Sequence, residues 1–293
     1  MTKQSVEVLD MKSQQKLTKH FSCEFFPPKT DQGLEKLFNT AEVLKTELNP
    51  AFFSVTFGAG GSTRETTFNA VTRLMQHTGN DVAPHLSCIG SSKEQLKEIL
   101  DDYQKQGVKR LVSLRGDMPS GTVSHGDFNH ANELVSFIRE NYQDHFHIEV
   151  AAYPETHPQA ASASKDLSHF VNKVKAGANS AITQYFYNID SYYYFIESCE
   201  KAGIDIPIVP GIMPITNFSN LARFSEMCGA DIPQWLRRKL ESYADDVESI
   251  KDFGAEFVSV MSQKLLDMGA PGLHFYTMNQ SEATLRIWNN LNK

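Results

Sequence analysis

Apolar and polar positions along the chain follow a repeating order: a short apolar or β-branched run, then a longer stretch with helical spacing. The short runs fall at 21–26, 52–57, 82–89, 111–114, 148–153, 181–186, 206–212 and 273–278, and each has the length of a strand. Between them, Leu96, Ile99, Leu100 and Tyr103 occupy i, i+3, i+4 and i+7, one face of a helix that Gly107 closes. Phe68, Val71, Leu74 and Met75 mark a helix one unit earlier. Ala176-Gly177 and Ala202-Gly203 end two more, each just before a strand. The last interval is longer. Residues 231–270 hold two additional helical patterns, one carrying Val247, Ile250, Phe253, Phe257, Val258 and Met261. Residues 281–291 supply the final helix.

Through the first seven runs, strand follows strand at about 30 residues, the size of a βαβ unit. Eight such repeats predict an α/β chain folded as a single (β/α)8 TIM barrel over residues 20–293, with extra helices between strands seven and eight. Residues 1–19 lack the pattern and form an N-terminal segment that either packs on the barrel or stays flexible. A doubly wound open sheet is the alternative, and it often carries a glycine-rich dinucleotide fingerprint. Gly58-Ala59-Gly60-Gly61-Ser62-Thr63 has two of the required glycines and then Thr63, and no GxxxxGK[ST] occurs.

Composition narrows the function classes. Hydrophobic residues are 41% and charged residues 22% of 293, enough apolar content to exclude a disordered chain. Lys+Arg is 28 against Asp+Glu 35, a net charge of −7 that argues against nucleic acid as partner. Arg237, Arg238 and Lys239 are the densest basic run and read as a solvated helix face. Cys23, Cys88, Cys199 and Cys228 form no CxxC pair, so a disulfide framework or structural zinc is not expected. The polar start of the chain has no secretory signal and no run long enough to span a membrane. A cytoplasmic protein is expected.

Side chains alternate along each strand, and one face turns polar toward its C-terminal end. Placing the apolar faces against helices puts Glu24, Thr56, His85 and Arg115 inside the barrel. The interior is ordinarily aliphatic, so these four suggest an active mouth at the C-terminal end, the alternative being a structural polar plug. Glu24 sits among Phe21, Phe25 and Phe26, ahead of Pro27 and Pro28. Desolvation there raises a carboxyl pKa and favours a protonated acid. Asp117 follows Arg115 and Gly116, where glycine permits close approach of backbone to ligand. Tyr153, His157 and two prolines end strand five, and the helix after it carries Asp166, His169, Asn172 and Lys173 on roughly one side. Gln184 ends strand six with an amide suited to a heterocycle edge. Tyr276 and Gln280 follow at strand eight. His145, His147 and Glu149 form an HxHxE, but at the wrong end of its strand for the active mouth, so no metal site is expected. A barrel lyase would need a Schiff-base lysine or metal ligands at strand ends, and no strand run ends in lysine.

Several segments occur together in a fixed order: Ser22-Cys23-Glu24-Phe25-Phe26-Pro27-Pro28, residues 54–58, 83–86, Leu114-Arg115-Gly116-Asp117, residues 152–155 with His157-Pro158, residues 181–184, 210–212 and 275–277. From about residue 20 onward the chain closely resembles bacterial-type methylenetetrahydrofolate reductases. The resemblance implies a flavoprotein (β/α)8 barrel that binds FAD without a Rossmann fingerprint. It implies reduction of 5,10-methylenetetrahydrofolate to 5-methyltetrahydrofolate with NAD(P)H as donor, NADH being general among bacterial members and NADPH the alternative, by ping-pong hydride transfer, feeding methionine synthesis. A homo-oligomer without the C-terminal regulatory domain of eukaryotic members is also implied.

Residue by residue, the resemblance makes Glu24 the general acid that opens the imidazolidine ring. It makes Asp117 the carboxylate that stabilises the resulting 5-iminium cation. FAD contacts carried over are Thr56, Phe57, Ala59, His85, Arg115, Gly116 and Asp117. Further along they are Ala131, Tyr153, His157, Ala160, Asp166, His169, Asn172 and Lys173. Folate or nicotinamide contacts are Asp117, Gln184, Asn220, Phe224, Tyr276 and Gln280. Gln280 stands where the family pattern has arginine, and Asn220 where a longer amide is common.

Overall fold

The computed structural model describes residues 10–57, 63–116 and 126–291, without the side chain of Thr63. Among these residues the strands are β1 His20–Phe25, β2 Phe52–Val55, β3 Asp81–Ser87, β4 Arg110–Leu114, β5 His147–Ala152, β6 Ser180–Thr183, β7 Ile208–Val209, β8 Gly211–Ile212 and β9 Gly272–Tyr276. All pair in parallel, in the order β7-β6-β5-β4-β3-β2-β1-β9-β8. The two ends of that order are halves of the single strand predicted at 206–212. Pro210 parts them because it has no N–H to give the ladder. β7 bonds to β6 and β8 to β9, so the sheet closes. The (β/α)8 TIM barrel is the observed fold.

Helices α2 (Asp31–Leu48), α3 (Thr63–Thr78), α4 (Lys93–Lys105), α5 (Ala131–Tyr142), α6 (Ala163–Lys175) and α7 (Ile189–Lys201) alternate with the strands. α8 (Phe218–Cys228), α9 (Gln234–Glu241) and α10 (Val247–Asp267) fill the long interval, and α11 (Glu282–Asn289) follows β9. Caps explain where several begin. Thr30, Ser162, Asn217 and Asp246 accept backbone N–H groups at α2, α6, α8 and α10, and Ser92 with Gln95 forms a capping box at α4. None of the described helices is long and apolar enough to cross a membrane.

The outward strand faces, including Cys23, Phe25, Phe53, Val55, Leu86 and Leu111, join the helices in one continuous core. Phe52, Ala83, Val112 and Ile182, with Leu114, form a second cluster inside the barrel. That arrangement corrects strand four. Val112 and Leu114 point inward, so Arg115 leaves on the outer side and is not an interior residue. Both faces of a barrel strand are buried, and apolar character alone therefore cannot say which face is inside.

Below the inner cluster lies a polar layer. Arg110 pairs with Glu149, and its guanidinium lies 4.4 Å from the centre of the Phe52 ring. Ser180 Oγ donates to Glu149 Oε2 at 2.6 Å, and His147 Nε2 lies 2.6 Å from Ser180 Oγ. His145 turns instead to the Val108 carbonyl at 3.2 Å, away from His147 and Glu149, which lie 3.3 Å apart. A short helix unmarked in the sequence, α1 (Lys12–Gln15), seals the same end. Its buried Gln14 accepts from Ile208 N at 2.9 Å and donates to Ile206 O at 3.2 Å, completing the strand edge.

Candidate active site

Glu24 stands near the C-terminal end of β1, in register with Ser54 on β2 and Tyr276 on β9. Only 9% of it is exposed. Its Oε2 lies 3.1 Å from His85 Nε2 and 3.4 Å from His274 Nε2. His274 is oriented from behind, its Nδ1 2.7 Å from Ser22 Oγ. His85 Nε2 is buried and off the line of a hydrogen bond. Thr277 Oγ1 donates to the Glu24 carbonyl at 2.6 Å.

This environment corrects the expected raised pKa. Burial does push the carboxyl up, but charge on His85 and the hydrogen bond from His274 outweigh it and hold Glu24 at about 2. The sign gives a prediction. Stability from the lowered pKa is fully present above the ordinary value of 4.5 and is lost as pH falls toward 2. Wild type should therefore exceed Glu24→Gln in unfolding free energy by a margin that shrinks by on the order of 3 kcal/mol across that window. Urea titrations of both proteins from pH 6 downward measure it; a constant margin would mean the imidazoles do not stabilise the carboxylate.

Above the inner cluster the mouth opens into a cavity of about 500 Å³. Of the residues singled out in the sequence, Glu24, Thr56, His85, Tyr153, His157, Gln184, Phe224 and Tyr276 line it. Val112, Leu114, Ala151 and Ile182 supply apolar walls. Tyr276 donates its hydroxyl to the Thr183 carbonyl at 2.7 Å. A Cβ on Gly211 would collide with both groups, so glycine makes room for this ring. Gln184 turns its Oε1 to its neighbour's backbone, Tyr185 N, at 3.0 Å.

The other predicted residues do not line the cavity. Arg115 bonds to Gln159, itself a wall residue, and to the Gly116 carbonyl. Asp166 accepts from His157 N at 2.8 Å, and Ala160 N donates to His157 O at 2.9 Å. Lys173 donates to Ala151 O at 2.6 Å, and burial lowers its pKa to about 8 against the opposing pull of Asp166. His169 stacks on His130, ring centres 5.6 Å apart, beside Ala131. Phe57 and Asn172 are also off the lining. Asn220 sits in the first turn of α8 with its N–H on the Asn217 side chain, and Gln280 lines a separate small cavity with Pro214 and Thr216. Ala59 and Asp117 lie outside the described residues.

The family model for methylenetetrahydrofolate reductase matches residues 10–292. The chain belongs to the methylenetetrahydrofolate reductase family. It is 40% identical over 270 residues to the 5,10-methylenetetrahydrofolate reductase of Pectobacterium carotovorum subsp. carotovorum, covering 92% of this chain and 89% of that one. The enzyme of the same name from Escherichia coli (strain K12) is also 40% identical, with 92% and 90% covered. Among solved structures, an uncharacterized Clostridium thermocellum protein that binds two copies of 5-methyl-5,6,7,8-tetrahydrofolic acid superposes with a TM-score of 0.61 at 12% identity, covering 95% of this chain and 96% of that one. At that identity the likeness speaks for the fold.

FAD is the cofactor that the resemblance implies for this cavity. The cavity has the volume of a small-molecule site, apolar walls from Val112, Leu114, Ala151 and Ile182, and polar groups on Thr56, Tyr153, His157 and Gln184 in its lining. The residues fit. Of the residues that the resemblance assigns to FAD, Thr56, His85, Tyr153 and His157 are in the lining and would be the ones to hold it, while Asp166 and Lys173 brace the wall from behind.

Sequence reasoning missed His274, Thr277, Phe26 and Met278. Strand parity puts His274 on the Tyr276 face, which was a usable signal. Its place beside Glu24, 250 residues away in sequence, comes only from closure of β9 onto β1.

Proposed function

We propose that this enzyme reduces 5,10-methylenetetrahydrofolate to 5-methyltetrahydrofolate with NADH, through FAD held at the barrel mouth. One observation carries the reading: among the described residues, Glu24 is the only carboxylate lining the cavity, and two imidazoles flank it. Bound FAD would supply a two-electron acceptor and donor there.

The chain's own residues handle the proton. Opening the imidazolidine ring requires a proton on the departing nitrogen, and Glu24 delivers it. Because Glu24 is held as a carboxylate, that proton reaches Oε2 from an adjacent imidazole N–H, with Ser22 fixing the orientation of His274. Gln184 and Phe224 orient the pterin against the walls, and Asp117 supplies negative charge to the iminium cation. His85 and Tyr276 keep water off the reacting edge.

Anaerobic stopped flow tests the scheme. Absorbance near 450 nm should bleach on adding NADH and recover on adding the folate in a second mix. Protein without flavin absorbance, or bleaching with no recovery on the folate, would overturn it.

A further inference from the structure

Backbone pairing between β1 and β9 ends at Glu24 and Tyr276, yet both segments run on into the mouth. Met278 and Asn279 turn left-handed, with φ of 53° and 57°, and carry the chain away from a ladder geometry. Phe26 would then lose partners for its backbone N–H and C=O. The Asn279 side chain replaces them. Its Oδ1 accepts from Phe26 N at 2.7 Å, and its Nδ2 donates to Phe26 O at 2.9 Å. Asn279 N in turn donates to Thr277 Oγ1 at 3.2 Å, the same hydroxyl that donates to the Glu24 carbonyl.

We propose that Asn279 is a positioning residue for Glu24: its side-chain amide clamps Phe26 as a surrogate strand and fixes the carboxylate against the cavity. The inference rests on the function proposed above. Asparagine suits the task for two reasons. It is the common non-glycine residue in the left-handed region, and its amide carries one donor and one acceptor in a plane. Glutamine is a methylene too long for both bonds. Phe26 and Met278, on either side of the clamp, both border the cavity. Proton delivery demands hydrogen-bond reach, so a displacement of Glu24 well under its own length is costly.

Two variants separate positioning from folding. Asn279→Gly keeps the left-handed backbone and removes the amide. Asn279→Asp keeps the acceptor for Phe26 N, loses the donor, and sets an anionic oxygen against Phe26 O. Each is assayed as holoenzyme for folate reduction across pH, for NADH oxidation with a quinone acceptor that needs no ring opening, and for thermal melting. Folate kcat should fall about tenfold in both variants. Its pH profile should shift, while quinone-linked oxidation and melting stay at wild-type values. The clamp is overturned if either variant keeps wild-type folate kcat and pH profile. It is equally overturned if both activities decline together with the melting temperature. Wild-type protein that oxidises NADH with the quinone but does not reduce the folate would instead overturn the functional reading, and the positioning role with it.

Discussion

Glu24→Gln should slow folate reduction by roughly 10²–10⁴-fold, the range for losing a general acid. Glutamine keeps the shape of the side chain and can still meet His274, so the cavity survives. It cannot carry the proton to the opening ring. Reduction of the flavin by NADH needs no such proton donor and should proceed at about the wild-type rate. The two-mix stopped-flow experiment reads both halves separately. Wild-type recovery in the second mix would mean that His85, 3.1 Å from the carboxylate, protonates the substrate directly.

The second large effect lies at the opposite end of the barrel and concerns stability. Glu149 is buried, and burial alone would raise its pKa. The His147 hydrogen bond and the Arg110 charge pull it the other way and keep it ionised. Removing one member of a buried pair leaves the other uncompensated, at about 3–5 kcal/mol. Glu149→Ala should therefore lower the melting temperature by roughly 10 °C. Arg110 Nε already lacks a hydrogen-bond partner, so little remains to absorb the loss. Pairing Glu149→Leu with Arg110→Met should recover most of that stability, because the combination removes both charges and restores volume. A double variant as unstable as Glu149→Ala would assign the cost to packing rather than to the orphaned guanidinium. Catalysis per folded molecule should not change, since the pair lies below the inner apolar cluster and away from the mouth.

The candidate site was legible in unequal parts. Glu24, Thr56 and His85 could be placed on one face because polar residues broke an apolar alternation at matching strand ends. Tyr153, His157, Gln184, Phe224 and Tyr276 also reached the cavity, since strand ends and the helix after strand seven point there in a barrel. Arg115 was misplaced because residues 111–115 are apolar on one face and mixed on the other, and both faces end up buried. The raised pKa expected for Glu24 failed for a different reason. The three phenylalanines that suggested desolvation belong to the same short segment as Glu24, whereas the two imidazoles that oppose it come from β3 and β9.

By itself the sequence determined the period of the fold, the strand positions to within a few residues, and the family, because these depend on local alternation and on motifs within single segments. Tertiary structure alone decided which face of each strand turned inward, where Pro210 splits the seventh strand, and that His274 and Asn279 meet residues 24–26. Those outcomes depend on barrel closure, which brings the first and last strands side by side, and no local pattern carries the electrostatics or the hydrogen bonds of neighbours so distant in the chain.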